Sequence, residues 1–83
     1  MYRLYYKPAC PFSRKVLDFA EEAGISLDLR DVRDPEVLSE LVELTSKQQI
    51  PFLVDTEQNV SMPESADIIE YLRKSHYSDH VSS

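Results

Sequence analysis

A strand–helix–strand pattern over residues 2–32 restricts the fold of this chain more than any other feature of its sequence. The aromatic-rich run at residues 2–6 is typical of a strand, and residues 25–32 alternate apolar and polar side chains with a period of two. Between them, residues 12–23 place apolar side chains at helical spacing, and Gly24 follows where a left-handed C-terminal cap is expected. Two strands that bracket a helix are expected to be parallel, with a right-handed crossover.

The rest of the chain predicts a second helix, a hairpin and a third helix. Asp34-Pro35-Glu36 has the residue types of a helix start, and apolar residues continue that helix to about Ser46. Residues 51–54 and 60–61 predict two antiparallel strands, joined by a five-residue polar loop. A last amphipathic helix begins near Ser65.

The predicted order of elements is therefore β-α-β-α-β-β-α. It predicts an α/β fold in which three helices cover a four-stranded mixed sheet. We expect one domain over residues 1–75. Residues 76–83 show no periodicity, so we expect them to form a flexible C-terminal tail.

Composition and charge exclude several classes of protein. The 83 residues carry 15 acids and 9 lysines and arginines, a net charge of −6, which argues against a nucleic-acid or membrane partner. The single cysteine, Cys10, excludes an intramolecular disulfide framework and a multi-cysteine zinc site. His76 and His80 are interpreted as solvated residues, so no metal site is expected. No run is apolar enough for a signal peptide or a membrane span, and a cytoplasmic location is expected.

The charge is distributed unevenly around Cys10. Residues 1–15 contain four cations and no acid, whereas all 15 acids lie in residues 16–83. Cys10 lies in this basic segment, directly before the first helix, where helix N–H groups and nearby cations favour a thiolate. Cysteines in such settings have pKa values of roughly 3.5 to 7.5. The alternative is a small buried hydrophobic side chain, which is what an unpaired cysteine often is.

Three segments of the sequence resemble one group of proteins. Residues 7–16, Lys-Pro-Ala-Cys-Pro-Phe-Ser-Arg-Lys-Val, are similar to the active-site segment of glutaredoxins and of the glutathione-binding N-terminal domain of glutathione transferases. Residues 49–53, Gln-Ile-Pro-Phe-Leu, resemble the family's loop before the third strand, where a cis proline faces the active cysteine. Residues 62–72 are similar to the transferase segment that opens the last helix. The resemblance implies a thioredoxin-like (glutaredoxin) fold with glutathione as its cofactor.

The resemblance also implies a set of site residues. Cys10 is the implied catalytic nucleophile, in a motif with Pro11, Phe12 and Ser13. Six residues from three segments are the implied glutathione ligands: Lys7, Phe12, Ile50, Pro51, Glu64 and Ser65. In this assignment the lysine meets the glycine carboxylate and the Ile50 backbone pairs with the cysteinyl part, as an added strand does. Glu64 and Ser65, at a helix start, hold the γ-glutamyl end.

Ser13 stands where a dithiol glutaredoxin has its second cysteine, which limits the mechanism to a monothiol one. Glutathione is transferred to Cys10 from a glutathionylated protein or small disulfide, and a second glutathione restores the thiol. The predicted function is therefore a glutathione-dependent thiol-disulfide oxidoreductase, acting as a monomer or weak dimer.

Two alternatives remain open. The sequence Pro63-Glu64-Ser65 has the transferase form, which favours a glutathione-binding module or transferase-like domain with little turnover. A further branch of monothiol glutaredoxins carries an iron–sulfur cluster. That branch usually has glycine where this chain has Pro11.

Overall fold

The computed structural model describes residues 1–46 and 49–81, with side chains described as far as residue 75. Four strands and three helices lie in the described part of the chain, in the order β1 (Tyr2–Tyr6), α1 (Pro11–Ala23), β2 (Leu27–Asp31), α2 (Pro35–Thr45), β3 (Phe52–Asp55), β4 (Val60–Met62) and α3 (Ser65–Val81). This order confirms the predicted one, and the strands form a single mixed sheet.

The sheet has the strand order β2-β1-β3-β4, which places β1 and β3 at its centre. Strands β1 and β2 are parallel, with Leu4 opposite Leu29, as the crossover helix requires. Strand β3 runs antiparallel to both β1 and β4, and Leu53 lies opposite Leu4 on one side and Met62 on the other. The predicted hairpin of β3 and β4 is thus confirmed.

The two faces of the sheet bury two separate apolar clusters, because successive strand residues point to opposite faces. Leu4 belongs to the larger cluster, with residues of α1 and α3 such as Val16 and Leu72. Tyr5 belongs to the smaller cluster, which contains Leu41 of α2 and Phe52. Helices α1 and α3 therefore cover one face, and α2 covers the other.

The end of α1 confirms the role predicted for Gly24. Its φ of 70° lies in the left-handed region, and its N–H donates to the carbonyl groups of Ala20 and Glu21. The N–H of Ile25 also donates to the Ala20 carbonyl, at 2.9 Å. Because the helix end uses the Ile25 N–H, β2 begins at Leu27, two residues later than the alternation predicts.

Helix α3 is longer than the apolar periodicity indicated. It continues to Val81 and so includes residues 76–81 of the predicted tail, while residues 82–83 lie outside the described residues. The flexibility of residues 76–83 stays a prediction. Across the described residues, each helix is too short or too polar to cross a lipid bilayer.

A buried carboxylate ties α3 to the hairpin. Asp55, which is 3% exposed, accepts hydrogen bonds from the Tyr71 hydroxyl at 2.5 Å and from the N–H groups of Glu57 and Gln58. Burial raises the pKa of Asp55, but the hydrogen bonds from these donors lower it by more. The net result is a pKa below the ordinary value. The contact fixes α3 against the sheet and so positions its first turn, which carries the predicted ligand Ser65.

Candidate functional site

Cys10 is the N-cap residue of α1. Its backbone is extended, and its carbonyl accepts the first helical hydrogen bond from the Arg14 N–H, at 3.0 Å. Pro11 occupies the first helical position, where the missing N–H costs no hydrogen bond. The Cys10 side chain makes no capping hydrogen bond and is a free, partly buried thiol. The first turn of α1 contains no acid.

The surroundings of Cys10 favour the thiolate. Burial raises the pKa of the thiol, but the N–H and hydroxyl groups of Ser13, the N–H of Phe12 and the charge of Lys7 lower it. The net result is a pKa below the ordinary value. The direction agrees with the sequence argument, and the hydroxyl of Ser13 is a larger cause than the nearby charge.

Ser13 links the strand before the cysteine to the helix after it. The residue is fully buried, and its Oγ accepts a hydrogen bond from the Lys7 N–H at 3.4 Å. The Cys10 N–H donates to the Lys7 carbonyl at 3.0 Å and closes the turn between β1 and α1. Ser13 therefore stabilises the turn as well as acting on the thiol.

One cavity of about 250 Å³ brings together residues that are far apart in sequence. Its lining includes five of the six predicted glutathione ligands: Phe12, Ile50, Pro51, Glu64 and Ser65. The peptide bond between Ile50 and Pro51 is cis, as the resemblance implied. Glu64 precedes α3, and its carbonyl accepts the N–H of Ile68 at 2.8 Å, so the first turn of that helix opens beside the cavity.

The sixth predicted ligand, Lys7, lies in a neighbouring cavity of about 250 Å³. The two cavities share Ile50, and the second is also lined by Arg33 and Leu38. The Arg33 guanidinium is ion-paired with Asp31, with Nη2 2.6 Å from Oδ2. Lys7 and Glu64 thus line two different cavities that have Ile50 in common.

The motif residues Cys10, Pro11 and Ser13 lie outside the described lining of both cavities. Phe12 connects the motif to the first cavity. The residue is 54% exposed, and the Lys15 ammonium lies 5.6 Å from the ring centroid. Cys10 is thus two residues along the chain from Phe12, which lines the first cavity.

The sequence argument assigned no role to the other seven residues of these linings, which are Gln49, Pro63 and Ala66 in the first cavity and Val32, Arg33, Leu38 and Leu41 in the second. Gln49, Pro63 and Ala66 were present in the motif segments but had no role assigned, since spacing alone does not show which way a loop residue faces. Arg33 gave no signal, because its position beside Lys7 depends on how β2 joins α2.

Comparison with known families identifies the domain. Residues 4–79 match the model of the glutathione S-transferase N-terminal domain. The chain belongs to this family. A search of curated protein sequences found no match.

Solved structures of glutathione transferases have the same fold. The chain superimposes on human glutathione transferase theta-2, solved in complex with glutathione and an unknown ligand, with a TM-score of 0.79 and 28% identity. That match covers 93% of this chain and 32% of the other. Glutathione S-transferase 1-6 from Anopheles dirus species B matches with a TM-score of 0.71 and 31% identity, covering 88% of this chain and 35% of the other. The chain thus spans about a third of the length of these transferases.

Proposed function

We propose that this chain is a glutathione-binding domain of the transferase type. The carrying observation is that five predicted ligands, from three separate segments, line one cavity. Membership of the transferase N-terminal family supports the proposal, as does the similarity to theta-2, a structure that contains glutathione.

In this proposal glutathione lies along the two adjoining cavities. The first-turn N–H groups of α3 and the Ser65 hydroxyl take the γ-glutamyl carboxylate, and Glu64 takes the amino group. The Ile50 backbone pairs with the cysteinyl residue, while Phe12 and Pro51 form the wall. At the far end Lys7 meets the glycine carboxylate. The charges match those of glutathione: Glu64 lies at the end that holds the ammonium group, and Lys7 lies at the end that has only a carboxylate.

Calorimetric titration with glutathione tests the binding. Ser65→Ala removes one hydrogen bond to a charged group, so we expect the Kd to rise about tenfold. The control is Ser39→Ala, which removes an exposed serine from α2 on the other face of the sheet. Equal affinity in the parent and both variants, or no binding of millimolar glutathione by the parent, would contradict the proposal.

A second candidate function adds thiol chemistry to the binding. The lowered pKa of Cys10 favours a glutathione-dependent thiol-disulfide oxidoreductase that works by the monothiol route. The Cys10 thiolate takes the glutathionyl group from a mixed disulfide, and a second glutathione regenerates it.

Turnover of a glutathionylated peptide, coupled to reduction of glutathione disulfide, tests this second function. We expect Cys10→Ser to lose turnover to the uncatalysed rate and to keep its affinity for glutathione. A parent protein that binds glutathione and shows no turnover supports the binding domain alone.

A further inference from the structure

The lysines and arginines of the chain differ in whether an acid neutralises them. Five of those with described side chains form an ion pair: Arg3, Arg30, Arg33, Arg73 and Lys74. Within residues 1–46 and 49–75, three have no carboxylate within ion-pair distance: Lys7, Arg14 and Lys15. All three are exposed, and we call them the basic rim.

Each residue of the basic rim lies near Cys10 or near a cavity lining, either in space or along the helix. Lys7 lines the second cavity. The Arg14 N–H donates to the Cys10 carbonyl, which places Arg14 one helical turn from the cysteine. Lys15 lies over the ring of Phe12, a wall of the first cavity. The three residues of the basic rim therefore all lie just after β1 or in the first turns of α1, the segment that carries Cys10.

The side of the first cavity formed by the start of α3 carries a negative charge. Glu64 lines the first cavity from the start of α3, so the positive charge is confined to the side of the basic rim. An ion pair has little field beyond its own dimensions, whereas unpaired charges at a cleft attract counter-charged ligands and raise their rate of association. The basic rim is larger than one glycine carboxylate requires, because Lys7 is its only member in the lining of either cavity, and Arg14 and Lys15 lie outside both linings.

We propose that the basic rim selects disulfide substrates whose cysteine lies in an acidic protein segment. This inference rests on the oxidoreductase candidate above and names its substrate class. The Cys10 thiolate attacks the glutathione sulfur of a glutathionylated acidic protein. A new S–S bond joins Cys10 to glutathione as the old S–S bond breaks. The electron pair leaves on the protein's cysteine, which takes a proton from water.

A second glutathione completes the cycle. Its thiolate attacks the glutathione sulfur bound to Cys10, releases glutathione disulfide and restores the Cys10 thiolate. In the net reaction one glutathione converts the glutathionylated protein to its free thiol, and the two glutathionyl groups leave together as glutathione disulfide. The carboxylates that flank the protein's cysteine contact the basic rim during the first step.

Two Arg-Lys pairs in the chain supply a matched test. Arg14→Glu/Lys15→Glu reverses two charges of the basic rim. Arg73→Glu/Lys74→Glu makes the same change at two exposed residues that are ion-paired with Glu70 on α3. In the intact chain, the rate of Cys10 reaction is measured with the dianionic disulfide 5,5′-dithiobis(2-nitrobenzoate) and with the neutral disulfide 4,4′-dithiodipyridine. The ratio of the two rates removes any change in thiol ionisation.

For the rim variant we expect the anionic-to-neutral rate ratio to fall about fivefold at low ionic strength. In 1 M salt, where the screening length is about 3 Å, the parent and the variant should converge. The α3 variant should keep the parent ratio. Equal losses in both variants would assign the effect to net charge, and an unchanged ratio in the rim variant would also overturn the proposal.

Glutathionylated peptides then test the substrate class directly. With Asp and Glu flanking the cysteine, the peptide should be reduced several-fold faster than one flanked by Lys and Arg, and the rim variant should lose this preference. No preference in the parent would overturn the inference. Failure of the oxidoreductase candidate gives a different result, in which neither peptide is turned over while the probe ratio still reports on the rim.

Discussion

Helices α1 and α2 both begin with a proline, but only the start of α2 has a stabilising side-chain cap. The start of α1 has a thiol in that position. Each has a proline at its first position, after Cys10 in α1 and after Asp34 in α2. The Asp34 carboxylate accepts the Glu36 N–H at 3.0 Å, and Glu36 adds a favourable negative charge to the first turn. The Cys10 side chain makes no such bond, and the first turn of α1 holds no acid.

The comparison shows that a thiol site at a helix start lacks the stability that a capping side chain contributes. An N-cap side chain contributes about 1 kcal/mol to stability, and α1 lacks that contribution. Its first-turn N–H groups act instead on the Cys10 thiol and lower its pKa. In α2 the Asp34 carboxylate already accepts a first-turn N–H group, whereas in α1 the first-turn N–H groups can stabilise the Cys10 thiolate.

Replacing the thiol by the cap of α2 should have the largest effect, because it abolishes the thiol chemistry as well as changing the stability. In Cys10→Asp the new carboxylate can accept a first-turn N–H, so we expect the free energy of unfolding to rise by about 1 kcal/mol. All thiol reactivity should vanish. Urea denaturation and thiol titration measure the two effects, and Cys10→Ala, which has neither thiol nor cap, is the control. A Cys10→Asp protein less stable than Cys10→Ala would show that the start of α1 does not accept a cap.

Ser13→Ala should weaken both roles of the α1 start. The pKa of Cys10 should rise, because the Ser13 hydroxyl that lowers it is lost. The Lys7 N–H also loses its acceptor, so we expect a stability loss of about 1–2 kcal/mol. Alkylation rate against pH gives the pKa, and Ser39→Ala in α2 is the control. An unchanged pKa would mean that the helix N–H groups and Lys7 suffice without the hydroxyl.

Asp34→Ala should affect stability alone. Loss of the bond to the Glu36 N–H should cost about 1 kcal/mol in urea denaturation. The alkylation profile of Cys10 should match that of the parent, since α2 covers the other face of the sheet. A shifted thiol pKa in this variant would show that the two helix starts are coupled.

The smallest effect is the dependence of stability on pH. Because folding lowers the pKa of Cys10, its ionisation adds stability that is fully present above the unfolded pKa of about 8.5. This contribution is lost as the pH falls through the folded pKa. The difference in unfolding free energy between the parent and Cys10→Ala should therefore increase towards alkaline pH and level off above about 8.5. A difference that shrinks with rising pH would contradict a lowered pKa.

The order of elements could be predicted because the signals for it are local. Gly24 accepts a φ of 70° at little cost, and Asp34 bonds to an N–H two residues away, so both helix boundaries are visible in short segments of sequence. The apolar stripe of α2 was less informative. Leu41 is fully buried, but Val42 is 37% exposed, since neighbouring residues of a helix point about 100° apart around its axis.

The site itself was only partly predictable. Cys10 and its charged neighbours were recognisable from one segment, and the resemblance supplied the residues of the other two segments. Three features could not be recognised from the sequence. They are the burial of Ser13, the place of Arg33 in the same cavity lining as Lys7, and the ion pairing of some cations but not others. Each of these depends on which side chains the sheet register brings together.

The sequence by itself determined the order of the helices and strands and the position of one thiol at a helix start. Periodicity, caps and neighbouring charge act over a few residues, so they can be read along the chain. Only the tertiary structure decided that Phe12, Pro51 and Ser65 line one cavity. It also decided that, among the side chains that the structure describes, Arg73 and Lys74 have an ion-pair partner while Arg14 and Lys15 have none. Such contacts join residues that are far apart in sequence, and their energies exist only after the sheet and helices have packed.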